Sequence, residues 1–358
     1  MTIVLSTNDT EKVISMDRCI EALELAFGDL EAGRAADRPR ARTFTHLGKE
    51  PGLFYLYSSM DGSLPRFGVH GIRMTSEHIL DTRIAGNLSR EQPAAAPGGR
   101  FVGLILIFSL ETLEPLAFIQ DAVCNRYMVG ATSALAAKYL SREDSTTVGL
   151  IGSGWLAGTQ LLGLRSVRKI KHVKVFSRRA ERSKAFCEEW QKRLGIPVVP
   201  SDSAKDAIVG VDIIALATNS HEPVIKGEWL EPGQHVGSLQ GGEIDFDILE
   251  RALILSCRSV EKEAFYFTRG PLPGDYANAK VLPPWLLHKS EGLGEIILGR
   301  AGRRNREDIT FHGGGGTGVS SGLGIQELAV AYTVYEEAKR QGLGHHIPTE
   351  LFLEVHHP

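Results

Sequence analysis

The stretch Thr147-Val-Gly-Leu-Ile-Gly-Ser-Gly-Trp-Leu-Ala-Gly-Thr-Gln160 constrains this chain more than any other: a short apolar run opens onto Gly152-x-Gly154-x-x-Ala157 and then onto residues that suit a helix. In a strand-turn-helix setting Gly152 permits the tight turn, Gly154 lets backbone approach a pyrophosphate with no Cβ in the way, and Ala157 lets the helix pack close to the strand. The phosphates then meet the free N–H groups of the first helical turn. A lone glycine pattern is weak. Here a second strand, His172-Val-Lys-Val-Phe-Ser177, follows at the distance of one βαβ unit, so the expected dinucleotide site comprises Gly152, Ser153, Gly154, Trp155, Leu156 and Ala157.

The residues after that second strand bear on which dinucleotide is held. An NAD site normally places Asp or Glu at the strand end to bond the ribose 2′-OH, whereas a 2′-phosphate wants hydroxyl and arginine donors. The chain offers Ser177, Arg178 and Arg179 with no acid, and Arg182 follows one helical turn on. Cations are unfavourable at a helix N-terminus unless a ligand anion compensates, so the sequence favours NADP(H) over NAD(H).

The 358 residues suffice for two domains with full cores, and 42% hydrophobic with 23% charged residues is ordinary for a globular chain. A net charge of −3 gives no electrostatic case for nucleic acid or an anionic membrane, and no apolar run approaches the roughly 20 residues that span a bilayer. The expected partners are a small-molecule substrate and a second copy of the chain, and the expected location is cytoplasmic. Cys19, Cys124, Cys187 and Cys257 lie far apart with no Cys-x-x-Cys pair, which argues for buried free thiols and against a metal site or a disulfide framework.

Along the chain, residues 16–33 carry apolar side chains at helical spacing. Strand-like runs follow at Phe54–Tyr57, Gly68–Thr75, Phe101–Phe108 and Pro115–Gln120, which predict an antiparallel sheet. Leu80 to Gly99 reads as a long loop or flap, and Val129 to Leu140 as a small-residue helix. Further strands at Val211–Ala217, Gln234–Gly237 and Ala252–Ser256 alternate with helices, the pattern of a parallel, doubly wound sheet. The glycines at 313–316 read as a flexible loop, and Ile325 to Lys339 as a last helix.

With the pieces 110–117, 132–140, 148–157, 217–224 and 324–335 in view, the whole chain resembles the ornithine cyclodeaminase / mu-crystallin family. The resemblance implies a Rossmann-type α/β domain over 129–321, together with a split α+β domain for substrate binding and dimerisation over 1–128 and 322–358. Thr218, Asn219 and Ser220, which end a strand on the ligand side, are implied to touch the cofactor's ribose, and Ser238 and Leu239 end the next strand. A family lysine that meets the substrate aligns with Arg73, whose guanidinium cannot release a proton near neutral pH. The family's carboxylate-binding arginine aligns with Met128, with Arg126 two residues earlier as the substitute. Its catalytic Asp aligns with Leu239, while Glu243 and Asp245 stand close in sequence. An N-terminal arginine corresponds to Arg42, or to Arg40 in the other register.

These departures speak against ornithine cyclisation, which needs a proton acceptor and an α-carboxylate clamp. The reading is an NADP(H)-dependent reductase or dehydrogenase acting on a C=N or C=O bond of a small imino or oxo acid. Arg42, Arg73, Arg126 and position 128 form its substrate site, and Arg73 and His312 are its catalytic candidates. His70 and His78 remain alternative proton donors, with Tyr57 and Tyr127 behind them. Asp308 to His312 reads either as a substrate-gating loop or as a flexible insertion, and Arg300, Arg303, Arg304 and Arg306 as a solvated basic turn. Two other functions stay open: a crystallin-like protein that holds NADPH and a small ligand with little turnover, and a lyase of the cyclodeaminase type.

Overall fold

The computed structural model describes residues 1–48, 51–84, 87–220, 222–258, 265–269, 272, 286, 288–313 and 322–354. The chain divides into two units, one of Met1–Asn125, Glu263–Ala279 and Ser321–Pro358, the other of Arg126–Lys262 and Lys280–Ser320. Phe265–Phe267 thus belong to the first unit, although the sequence had them in the second.

In the first unit the strands are β1 (Thr2–Leu5), β2 (Ala36–His46), β3 (Leu53–Leu64), β4 (Val69–Ile84), β5 (Asn87–Glu91), β6 (Val102–Ser109), β7 (Pro115–Gln120), β14 (Phe265–Phe267) and β17 (His345–Ile347). They form one sheet in the order β14-β2-β3-β4-β6-β7-β1-β17, with β5 paired to β4. All neighbours are antiparallel except β14 with β2 and β1 with β7. Strict alternation buries Phe54, Leu56, Met60 and Leu64 on one face of β3. The unit's helices are α1 (Thr7–Val13), α2 (Met16–Glu31) and the last helix, α9 (Gly324–Gln341). That last helix lies directly on the sheet, because a Cβ at Gly71 of β4 would stand 2.5 Å from Leu328 Cδ1. Leu80–Gly99 departs from the loop expected of it: β4 runs on to Ile84 and folds back as β5, with Leu80 opposite Glu91.

Helix α3 (Asp121–Leu140) leads into the second unit, whose strands are β8 (Thr147–Ile151), β9 (His172–Phe176), β10 (Val198–Pro200), β11 (Ile213–Leu216), β12 (His235–Ser238), β13 (Ile254–Cys257), β15 (Ser290–Gly292) and β16 (Thr310–Gly313). Its helices include α4 (Ala157–Val167), α5 (Ala180–Leu194), α6 (Ala204–Ile208), α7 (Phe246–Arg251) and α8 (Leu293–Ile297). The strands form an all-parallel sheet in the order β10-β9-β8-β11-β12-β16-β13-β15, the doubly wound arrangement expected. Both faces are covered. Ile213 and Ala215 of β11 enter one apolar cluster with Leu161 and Trp190, and Ile214 and Leu216 enter another with Ile248 and Phe311. Helices α3 and α4 touch through glycines, since a Cβ at Gly163 would stand 2.7 Å from Gly130 O.

One expectation fails outright. The stretch 308–312 is neither a gate nor a flexible insertion: Thr310–Gly313 is β16, a buried strand between β12 and β13. Arg303 in turn is no solvated residue, because it donates to the carbonyls of Leu140, Gly233 and Asp308. Of the glycines at 313–316, Gly313 ends that strand and the other three lie outside the described residues.

Candidate active site

The strand order reverses between β8 and β11: β9 and β10 lie on one side of β8, β11 and β12 on the other. Such a switch point leaves a crevice at the carboxyl ends of the two strands, where their following loops part. Gly152 makes the turn out of β8 with φ +111°, and a Cβ there would run into the carbonyl of Ala217 at the end of β11. Its N–H donates to Phe176 O at 2.8 Å, which pins the turn to β9 as well. Gly154, by contrast, faces open space: no heavy atom lies within 4 Å of the place its Cβ would take. Ala157 is buried, and no side chain caps the α4 N-terminus behind it. Uncapped N–H groups beside an open glycine floor fit an anionic pyrophosphate. Ser153 and Leu156 are half-buried and Trp155 is 55% exposed, with the Arg126 guanidinium 5.6 Å above its ring.

Past β9, Ser177 is half-buried and Arg178, Arg179 and Arg182 are exposed. Among the described residues none of these three arginines has an ion-pair partner. Ser177 and Arg178 also line a cleft of about 640 Å³ with Lys184 and Ser201. At the end of β11, Thr218 Oγ1 accepts from Ser220 N at 3.1 Å, which folds Thr218, Asn219 and Ser220 into a tight turn. At the end of β12, Ser238 is buried and Leu239 packs against the apolar cluster that holds Ala157 and Leu161. Gly152–Ala157, Thr218–Ser220 and Ser238–Leu239 thus follow three strands of one sheet, at the same end.

The substrate candidates divide differently. Arg73 belongs to the first unit and is nearly buried, with Nε donating to Asp121 Oδ2 at 2.8 Å, Nη2 ion-paired to the same oxygen at 2.7 Å and Glu327 Oε1 3.5 Å from Nε. Burial works to lower its pKa, but Glu327 and Asp121 outweigh it and the net shift is upward. Asn125 Nδ2 donates to Glu327 at 2.9 Å, and burial pushes that carboxyl above its ordinary range. An inward-facing charge in Gly-Ile-Arg-Met-Thr needs a partner, and the chain itself supplies two. Arg42 is half-buried on β2, opposite Ser58 of β3 and Tyr266 of β14.

Two candidates need correction. Met128 is 3% exposed, with its sulfur 3.6 Å from Thr132 Oγ1, so position 128 is core and presents no anion anchor. His312 is buried inside the sheet, where Nδ1 meets Ser256 Oγ at 3.0 Å. Burial, with Arg258 adding to it, pushes its pKa down to about 3, so it is neutral at physiological pH and not poised to donate a proton. His70 Nδ1 pairs with Ser63 Oγ at 2.8 Å across β3 and β4. Sequence reasoning left Glu243, Asp121 and Glu327 without a role. The one usable sign of Asp121 is Gly103, since a Cβ there would occupy the space of the Asp121 carboxylate.

Comparison with known proteins agrees with this architecture. The chain is 30% identical over 350 residues to the alanine dehydrogenase of Archaeoglobus fulgidus, covering 96% of this chain and 97% of that one. Among solved structures it is similar to Thermococcus litoralis Δ1-pyrroline-2-carboxylate reductase in complex with NADH and L-proline, with TM-score 0.76, 29% identity and coverage of 97% and 100%. An archaeal alanine dehydrogenase dimer with bound NAD matches with TM-score 0.76, 27% identity and coverage of 97% and 99%. The family pattern itself runs over residues 1–342, nearly the whole chain, and the chain belongs to the ornithine cyclodeaminase/mu-crystallin family.

Proposed function

We propose that the protein is an NADP(H)-dependent reductase or dehydrogenase acting on the C=N or C=O bond of a small imino or oxo acid. The observation that carries this is the crevice at the β8/β11 switch point, with its Gly152 turn, open Gly154 floor and uncapped α4 N-terminus, in a chain whose full-length relatives include an alanine dehydrogenase and a pyrroline-2-carboxylate reductase. Gly152–Ala157 would hold the pyrophosphate and Thr218–Ser220 a ribose, and the bound nicotinamide supplies the hydride. Arg42 and Arg126 are the assigned anchors for substrate carboxylate. Arg73, charge-balanced by Asp121 and Glu327, is assigned as an oriented hydrogen-bond donor. The first unit is assigned to substrate binding and to homodimer formation, which exposed Val102 and Leu104 on one side of β6, with exposed Phe101 just before it, support.

The test follows absorbance of the reduced nicotinamide while Δ1-pyrroline-2-carboxylate, or pyruvate with ammonium, is added to protein and NADPH. Loss of absorbance that depends on substrate supports the reductase. Ammonia release from an amino acid without net cofactor change would replace it with a lyase. Tight NADPH binding with no turnover would favour a binding protein, a second reading that apolar Leu239 and buried Met128 support.

NADP(H) over NAD(H) is the finer part of the proposal, and it rests on Ser177, Arg178 and Arg179, where no acid stands to bond a 2′-OH. Replacing both arginines by alanine removes charge-assisted hydrogen bonds at an exposed site, together worth about 1.5–3 kcal/mol. NADPH affinity is expected to fall about 10- to 100-fold while NADH affinity stays within about threefold. Paired fluorescence titrations measure both, and unmodified protein that prefers NADH would overturn the assignment.

A further inference from the structure

We propose that Glu243 is a positioning residue for the dinucleotide site: its carboxylate ties the loop after β11 to the loop after β12 and so fixes one wall of the crevice. The inference rests on the dinucleotide reading above. Glu243 is fully buried at the end of a short helical turn, Gly241–Glu243, and makes four hydrogen bonds with one carboxylate. Oε1 accepts from Thr218 N at 2.6 Å. Oε2 accepts from Ser238 Oγ at 2.9 Å, Leu239 N at 3.1 Å and Gln240 N at 2.9 Å. Thr218 and Ser238–Gln240 lie at the carboxyl ends of neighbouring strands, with Leu216 opposite Ser238 in register. Leu239 N also donates to Leu216 O at 3.3 Å where the parallel ladder stops, and Thr218 N and Gln240 N stand beyond it as part-buried donors that lose a charge-assisted hydrogen bond if the carboxylate is withdrawn. A single carboxylate that accepts from Thr218 N on one loop and from Leu239 N and Gln240 N on the other therefore couples the two loops, so that neither moves without breaking bonds to it.

The same chain provides an internal control at the opposite end of the sheet. Asp212, just before β11, accepts from Thr146 N at 2.8 Å and from Thr147 N at 3.0 Å, and pairs with Arg142. It latches backbone as Glu243 does, but at the amino ends of β8 and β11, away from the crevice. If carboxylate latches serve stability alone, the two residues behave alike. If Glu243 positions the site, only its loss weakens binding beyond its effect on folding.

The experiment titrates NADH and NADPH by fluorescence, and measures Tm with and without saturating NADPH, for unmodified protein, E243Q, S238A and D212N. Glutamine keeps the shape but turns one oxygen into a donor that faces other donors. E243Q is expected to bind about 10- to 100-fold more weakly. S238A is expected to bind a few-fold more weakly, and to decide the matter should E243Q not fold. D212N is expected to lose Tm while binding as the unmodified protein does. Unchanged affinity in E243Q or S238A, or losses of affinity that track losses of Tm across all three variants, would overturn the positioning role. Absence of binding by the unmodified protein would overturn the dinucleotide reading, and this inference with it.

Discussion

Gly152→Ala is expected to weaken NADH and NADPH binding by at least about 100-fold and to lower stability by about 2–4 kcal/mol. Two independent costs coincide at this residue. Its φ of +111° lies where L-residues carry steric strain, and a Cβ there would collide with the Ala217 carbonyl. That carbonyl has no room to retreat, because Ala217 N donates to Ile151 O at 2.8 Å and holds the end of β11 to β8. The turn itself must move, and with it Gly154 and the first turn of α4. Gly154→Ala is the informative companion, since nothing lies within 4 Å of its added methyl. It should leave Tm within about a degree and still weaken binding, because the methyl occupies the approach of the pyrophosphate. Fluorescence titration and thermal unfolding of both variants test the assignment. Undiminished dinucleotide affinity in Gly152→Ala would mean that the crevice is not where the cofactor lies.

How far such a site is legible in sequence depends on whether the physics that builds it is local. The fingerprint is legible because strand, turn and helix are adjacent in the chain, and each glycine answers a requirement of its own few neighbours. The alternating burial of β3 and the amphipathic α2 are legible for the same reason. Strand β16 is not: four residues, two of them the polar Thr310 and His312, carry no period, and its place between β12 and β13 breaks chain order. The β4–β5 arm is also hidden, since its polar residues resemble a loop until Leu80 is seen opposite Glu91.

Polar residues that serve the backbone are the least legible of all. Arg168 donates to the carbonyls of Ala137, Lys138, Ser141 and Arg142 and so closes the C-terminal end of α3, yet in sequence it is one arginine in a basic stretch. Glu243 has the same character, and its proximity in sequence to Leu239 gives no hint that its carboxylate holds that residue's N–H. At position 128 family resemblance locates a place in the fold without supplying its chemistry, because the side chain there is a buried thioether. Position 73 keeps its charge, but Asp121 and Glu327 reach it from elements 48 and 254 residues away.

The buried histidines lead to the second large expectation, a loss of stability in mild acid. His235 Nδ1 meets Thr310 Oγ1 at 2.9 Å and His312 Nδ1 meets Ser256 Oγ, both inside the parallel sheet. Burial pushes both pKa values down, His312 to about 3 and His235 well below its ordinary value, with His312 and Arg303 adding to the latter. Unfolded imidazoles take up protons near 6.5, so the folded state binds fewer protons than the unfolded state below that pH. The stabilisation is complete above about 6.5 and declines by roughly 1.4 kcal/mol per pH unit for each histidine as pH falls towards the folded values. Between pH 6.5 and 5 His312 alone loses about 2 kcal/mol, a sizeable part of the 5–15 kcal/mol that ordinarily holds a domain folded, and His235 adds a loss of the same sign. Glu243 and Glu327, whose carboxyls burial pushes up, act with the opposite sign in this range. A His312→Gln variant separates the contributions, because it retains those carboxyls and a partner for Ser256 but removes one imidazole. Urea unfolding at intervals from pH 8 to 5 should show the advantage of unmodified protein over the variant shrinking by about 2 kcal/mol below pH 6.5. Parallel curves would mean that His312 titrates normally, and would return it to consideration as the proton donor that its buried position now denies it.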